Sequence, residues 1–556
     1  MDKPTSGPTA EPESAVPTNK WAALIVLVGG LAMIVIDGTI VGVALPVLVD
    51  DLNLNFNDAQ WINSLYSVIF AALLLTSGRL GDRLGRRRLY MVGIAVFVIG
   101  SLMASMADSA TTLILARAIQ GVGGACVLPA TLSSMNSIFR GKDRAMAFGV
   151  WGAVIAGVAA IGPLLGGWIT TYFTWPWIFI INVPIGIVLL IAAYLVVPET
   201  RAGVIDPGLD IPGLLLSAFG FGAVIFALIE GDSLGWWTQK TDLNVLGITW
   251  SADAPLPAVP TIGAIGIMLL IGFAFWERHR GRIHRSAILD MNLFFTPTFS
   301  WGNVTAMMVA IAEFGLLFVL PLYLVNALGL STMGAGFVLA AMAGGAFISG
   351  SLARHLTALI GAPGTVILGL LLEVVGVIVV AVFVSSTVAP WLLALLLVIY
   401  GTGLGLASAQ LTGTTLADIP PEESGQGSAT QSTVRQLGSA IGSALVGAVL
   451  AFGLSRNMPG TLESGGVPAP EANQLSDATR ESAGSAIGVL RDQGAQGKLG
   501  EAGPDVVRLL SDGFAEATRY SLYVSAAFLV LGLIGALRVK ASAQKVARDR
   551  ETGGFD

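Results

Sequence analysis

The chain has 556 residues, of which 54% are hydrophobic and 12% charged, against roughly 25% charged in a soluble domain. A chain this apolar cannot cover its hydrophobic surface in water, which excludes a soluble globular protein and makes the bilayer its solvent. The net charge of −6 matters less than where the charges fall along the chain.

Residues 1–20 are polar and hold Pro4, Pro8, Pro12 and Pro17, so they read as a disordered tail without a cleavable signal peptide. Apolar runs then predict spans at 21–46, 59–78, 88–107, 109–136, 145–170, 176–197, 211–230, 258–277, 298–326, 333–353, 364–384, 388–416, 427–453 and 518–537. That is an all-α membrane protein of fourteen transmembrane helices, and the even number puts both termini on one side. Cys126 is the single cysteine, so no internal disulfide forms.

Basic residues choose the side. One set of loops holds Arg79, Arg83, Arg86, Arg87 and Arg88, then Arg140, Lys142 and Arg144, then Arg278, Arg280, Arg282 and Arg285. The tail adds Arg538, Lys540, Lys545, Arg548 and Arg550, whereas the opposite short loops carry Asp50, Asp51, Asp58, Asp108 and Asp232 with only Lys240 against them. The positive-inside rule makes the basic side and both termini cytoplasmic in a multi-pass protein of the cytoplasmic membrane.

The chain also repeats itself. "ALPVLVDDLNL" (44–54) resembles "VLPLYLVNALGL" (319–330), and "GRLGDRLG" (78–85) resembles "GSLARHLT" (350–357). "QGVGGACVLPA" (120–130) resembles "YGTGLGLASAQ" (400–410), and "AIGPLLGG" (160–167) resembles "AIGSALVG" (440–447). Offsets of 275, 272, 280 and 280 argue for two parallel six-helix halves, 21–197 and 298–537, around an inserted pair in the linker region 198–297. A cytoplasmic tail at 538–556 closes the plan. Residues 231–257 form an external loop, and 455–517 an external insert with two short amphipathic helices, "NQLSDATRESAGSAIGVLRDQ" and "GPDVVRLLSDGFAEATRY".

Four motifs stand out. The loop "GRLGDRLGRRRLY" (78–90) sets Gly78, Asp82, Arg83, Gly85 and Arg86 between two apolar spans, where arginines orient the chain and glycines permit a tight turn. "IDGTIVGVALP" (36–46) buries Asp37 in the first span, at a cost of about 2.5–3.5 kcal/mol on insertion scales, which marks a proton or cation site. "LILARAIQGVGGA" (113–125) holds Arg117 and Gln120. Asp37 lies nine residues inside Pro46 and Arg117 eight inside Ser109, so the two share a depth. "GVWGAVIAGVAAIGPLLGGWI" (149–169) supplies Gly149, Gly162, Pro163, Gly166 and Gly167 for close helix contact.

These motifs, on six plus two plus six spans, resemble the major facilitator superfamily, and the central pair its fourteen-span drug:proton antiporters. "WIFIINVPIG" (177–186) and "VRQLGSAIG" (434–442) are weaker echoes. The resemblance implies that Asp82 docks near Gly427 as a cytoplasmic latch, with Arg435 closing a gate, and that 149–169 marks an exporter. It implies that the spans 21–46, 109–136, 298–326 and 388–416 line the cavity. Proton coupling and substrate binding then fall to Asp37, Glu313 and Arg117, while Tyr66, Gln120, Phe314, Phe318, Tyr323 and Tyr400 are cavity candidates. Glu373 lies on a helix expected at the periphery.

No phosphate-binding loop and no Cys/His cluster is visible, so the chain reads as no enzyme, with no metal and no cofactor beyond protons as coupling ion. The expectation is a proton-coupled exporter of lipophilic or cationic drugs, acting as a monomer on small substrates, protons and membrane lipid, without nucleic acid. The alternative is an exporter of an endogenous lipid or natural product; a sensor or membrane enzyme is remote.

Overall fold

In lipid the backbone finds no outside hydrogen-bond partner, so each spanning run satisfies its own amides as a helix. The computed structural model describes residues 19–201, 210–245, 248–283, 285, 287–420, 424–497 and 499–551. Residues 1–18 of the expected disordered tail and 552–556 of the C-terminal tail lie outside the described residues. The helices are α1 (Lys20–Asp51), α2 (Phe56–Leu84), α3 (Arg86–Ser105), α4 (Ala110–Ile138), α5 (Gly141–Tyr172), α6 (Trp177–Ile180), α7 (Asn182–Val196) and α8 (Ile211–Leu234). Two short strands follow, β1 (Leu243–Val245) and β2 (Ile248–Trp250), paired antiparallel with Leu243 opposite Trp250, where no strand was expected. Then come α9 (Ala258–Arg282), α10 (Pro297–Leu322), α11 (Thr332–Phe383), α12 (Pro390–Thr415), α13 (Ser424–Ser464), α14 (Ala469–Glu481), α15 (Ser485–Gln493) and α16 (Gly503–Glu551).

Starts and stops follow local chemistry. Asn55 with Asp58 and Ser109 with Thr112 form reciprocal caps on α2 and α4, satisfying orphan amides of the first turn. Gly85 joins α2 to α3 at φ 112°, a conformation that favours glycine, and a side chain there would also meet the Glu199 carboxylate. Glu199 accepts from the Arg87 amide at 3.1 Å, so the basic loop is folded onto the end of α7.

Among the described residues, eleven helices are long and apolar enough to cross a membrane, or twelve when the two pieces of α2, bent by 49°, count as one. That tally is below fourteen, and α11 enters it once although it holds both runs expected at 333–353 and 364–384. Its 52 residues would reach about 78 Å, far beyond a hydrocarbon core of about 30 Å. It breaks at Gly361, φ 75°, just ahead of Pro363.

The insert differs from expectation. "NQLSDATRESAGSAIGVLRDQ" is divided between α14 and α15, broken at Ala483 and Gly484, which both take positive φ. The second amphipathic stretch is not a separate helix but the first turns of α16, and α13 runs on to Ser464. No helix stop separates 503–520 from the last apolar run, so the helix continues.

The halves meet through the ends of their helices away from the basic loops. Ser64 of α2 bonds Ser443 of α13 at 3.0 Å, and Ser67 bonds Ser439 at 3.3 Å. Phe56 meets Phe318 edge to face at 5.9 Å. Gly167 of α5 lies against the backbone of Thr332 and Met333, and Gly336 of α11 against the Pro163 carbonyl. The pair α8 and α9 packs beside α2 and α13, with Ile225 and Ile229 against Val68, Ala440 and Ala444.

Candidate functional site

α1 and α4 cross so that the two charges predicted at equal depth meet. Arg117 donates through Nη1 to Asp37 Oδ2, and the side chains are 1% and 0% exposed. Arg117 Nη1 also donates to Gln120 Oε1 at 2.8 Å. The other carboxylate oxygen, Oδ1, accepts from Gln120 Nε2 at 3.0 Å and from Asn182 Nδ2 at 2.9 Å. Ser101 accepts from Gln120 at 2.8 Å and from Asn182 at 3.3 Å. The guanidinium lies over the Tyr66 ring, 4.2 Å from its centre. Donors from α4 and α7 therefore converge on one carboxylate of α1 in a fully desolvated ion pair, with charge-assisted bonds to both oxygens.

Asn182 and Ser101 were not singled out in the sequence. Asn182 does stand in "WIFIINVPIG", a motif already noted, whereas Ser101 sits in an ordinary apolar run with no signal. Thr39, two residues from Asp37, bonds back to the carbonyls of Val35 and Ile36 at 3.0 Å each, and Gly162 packs on its side chain. The glycines of 149–169 thus serve two seams. Gly162 and Gly166 close on α1, while Pro163 and Gly167 touch α11 of the other half. Gly149 lies in α5, in a stretch whose neighbouring side chains are outside the described residues.

The C-terminal half holds a second pair. Arg435 Nη2 donates to Glu313 Oε2 at 3.0 Å, with side chains 43% and 13% exposed. Arg435 lies about three turns into α13, which starts at Ser424, and its described partner is a carboxylate in the middle of α10.

Two cavity candidates are buried against partners of their own. Phe318 is buried in the seal against Phe56, and Tyr323 donates to the Ser385 carbonyl at 2.6 Å at the end of α10. Tyr66 and Gln120 belong to the Asp37 cluster. Phe314 is half-buried beside Glu313, and Tyr400 is fully buried where α12 crosses α11.

In the basic loop, Asp82 accepts from Arg86 Nε at 3.0 Å and Nη2 at 2.8 Å, and Arg86 Nη1 donates to the Ser133 carbonyl at 2.9 Å. Gly427 faces Leu416, Phe299 and Ile419 of its own half. In this conformation the described partner of Asp82 is therefore Arg86. Gly78 packs on Pro129, and Arg83 lies half-buried beside Asp82.

A cluster that the sequence left unread ties the inserted pair together. Asp210 caps α8 through the Gly213 amide at 2.9 Å, pairs with Arg280 at 3.4 Å and accepts from Trp276 Nε1 at 2.8 Å. Arg280, counted above among the basic loop residues, is buried there at the end of α9. At the other end Glu230 accepts from Asn57 at 2.8 Å and Trp61 at 2.9 Å, fastening α8 to α2.

Two helical halves sealed against each other, one holding a buried ion pair and the other a partly exposed one, define a polytopic helical membrane protein. The chain belongs to the Major Facilitator Superfamily, whose sequence profile matches residues 27–443. It is 31% identical over 443 residues to the riboflavin transporter RibZ of Clostridioides difficile, covering 79% of this chain and 90% of that one. It is 31% identical over 478 residues to the multidrug efflux pump LfrA of Mycolicibacterium smegmatis, covering 86% and 88%. In fold it is similar to a bacterial homologue of the human lysosomal transporter Spinster, solved in an inward-facing, occupied conformation. That match has a TM-score of 0.59 at 19% identity, over 95% of this chain and 98% of the other. The protein is a membrane transporter and not an enzyme.

Proposed function

We propose that this transporter is a proton-coupled antiporter that exports lipophilic or cationic compounds across the cytoplasmic membrane, with both termini cytoplasmic. The observation that carries the reading is the desolvated Asp37–Arg117 pair, held by Gln120 and Asn182 beside the glycine seam of α5. Protonation of Asp37 removes the charge that Arg117 and two amides hold, so it loosens α1 from α4 and α7. A group that locks three helices when charged and frees them when neutral couples proton binding to helix movement. Glu313 and Arg435, more exposed, face the substrate. A cationic substrate displaces Arg435 from Glu313, whereas a neutral one gains at most a hydrogen bond there. One proton entering through 100 mV contributes about 2.3 kcal/mol, enough to drive substrates of low charge.

The similarity to a riboflavin transporter favours a second reading, in which the substrate is a small planar metabolite of the cell itself. Proteoliposomes with an imposed pH gradient decide between them. Export of dye cations with counterflow of protons supports the first. Riboflavin movement without dye movement supports the second, and dye movement indifferent to the gradient removes proton coupling.

A further inference from the structure

Two helix pairs in this chain cross in the same way. In the first half α3 meets α4, and a side chain on Gly100 would come within 2.8 Å of the Gln120 nitrogen. In the second half α11 meets α12, and a side chain on Gly376 would come within 2.7 Å of the Tyr400 nitrogen. The match continues one step along. Gly123 closes on the Phe97 amide at 2.6 Å and Gly403 on the Glu373 amide at 2.5 Å. Phe97 and Glu373 therefore occupy the same place in the two crossings, and both are 0% exposed. The fold is served by a phenyl ring there, so packing does not ask for a carboxyl.

The surroundings do not ask for one either. Neither oxygen of Glu373 has a hydrogen-bond partner among the described residues, and the Tyr400 hydroxyl, fully buried beside it, has none. The ionisable groups acting on Glu373 are Glu313 from α10 and Arg435 from α13, with Tyr400 facing it from α12. From α16, Arg519 is engaged with the Ala381 and Val384 carbonyls, two turns further along. An unpaired carboxylate is costly at this depth, while the same group carrying a proton is neutral. The cation that acts on Glu373, Arg435, is held by Glu313.

Resting on the antiport reading, we propose that Glu373 is a second proton-binding carboxyl, loaded while Arg435 is held by Glu313 and discharged when Arg435 is freed. A cationic substrate that takes over Glu313 releases the guanidinium. Arg435 then favours the Glu373 carboxylate, the O–H bond breaks, and the proton passes to water in the substrate cavity. Substrate binding and proton release thus become one event, and the site needs no direct contact between substrate and proton carrier.

Infrared spectra of the full chain in lipid nanodiscs at neutral pH test this without a ligand. The wild-type spectrum minus that of Glu373→Gln should contain the C=O stretch of a protonated carboxyl. Glu313→Gln frees Arg435 as substrate does, so it should lose the same band, and Glu313→Gln with Arg435→Gln should regain it. Glu373→Phe, the residue used in the equivalent crossing, serves as the folding control. Absence of the band from the wild-type difference spectrum overturns the site, and its persistence in Glu313→Gln overturns the discharge by Arg435. These readings are independent of transport. A protein that passes them yet moves no protons against a dye gradient retains the site and loses the antiport reading instead.

Discussion

Replacing Asp37 with asparagine tests the Asp37 cluster most directly. The carboxylate accepts from Arg117 on one oxygen and from Gln120 and Asn182 on the other. Asparagine keeps a single acceptor and turns an NH2 group toward a donor. Either the guanidinium or the two amides then lose the carboxylate acceptor in a site that is 1% exposed, keeping only Gln120 or Ser101 as partner. Removing one member of a buried pair costs about 3–5 kcal/mol, since the remaining charge stays desolvated. The variant should therefore insert, unfold at a lower temperature in detergent, and show no proton-driven substrate uptake into inverted vesicles. Adding Arg117→Gln removes the stranded charge. The double variant should recover stability, with a coupling energy of about 0.5–3 kcal/mol in the cycle, but not transport. An Asp37→Asn protein with wild-type stability and gradient-driven uptake would refute both the energetic and the coupling argument.

Gly167→Val should block closure of the seam between α5 and α11, because the added carbons meet the Thr332 carbonyl, for which even a first Cβ stands at 2.8 Å; cysteine pairs across 167–171 and 332–336 should cross-link less, and equal cross-linking rejects the seam. Asp82→Asn removes the charge from the pair with Arg86, whose Nε and Nη2 both donate to Oδ1, weakens it by about 1–3 kcal/mol and should shift the distance between 79–88 and 424–428, read by cross-linking; an unchanged distance means that the loop is no latch. Arg491 donates to the Asn326 and Ala327 carbonyls at 2.9 and 3.0 Å, and burial lowers its pKa from the usual arginine value against the opposing charge of Asp492. Arg491→Ala should therefore loosen the insert and raise protease cleavage within 462–510, and unaltered cleavage rejects Arg491 as its fastening.

Much of this was legible in the chain. Apolar runs reveal where the long helices lie because lipid imposes helix on the local sequence. Counting residues from the helix ends put Asp37 and Arg117 at one depth, since rise per residue is constant, and the structure joins them. The repeat at offset 280 places Gln120 opposite Tyr400 in equivalent crossings. Depth, however, says nothing about which neighbour a helix turns toward. That Asn182 and Ser101 complete the Asp37 site, that Arg435 reaches Glu313, that Phe318 turns into the seal and that Tyr323 bonds Ser385 were decided by the rotation and lateral order of helices far apart in sequence. The chain alone specified what each helix carries and how deep. Only the packing of one helix against another, set by where glycines allow backbones to touch, decided which of those groups meet.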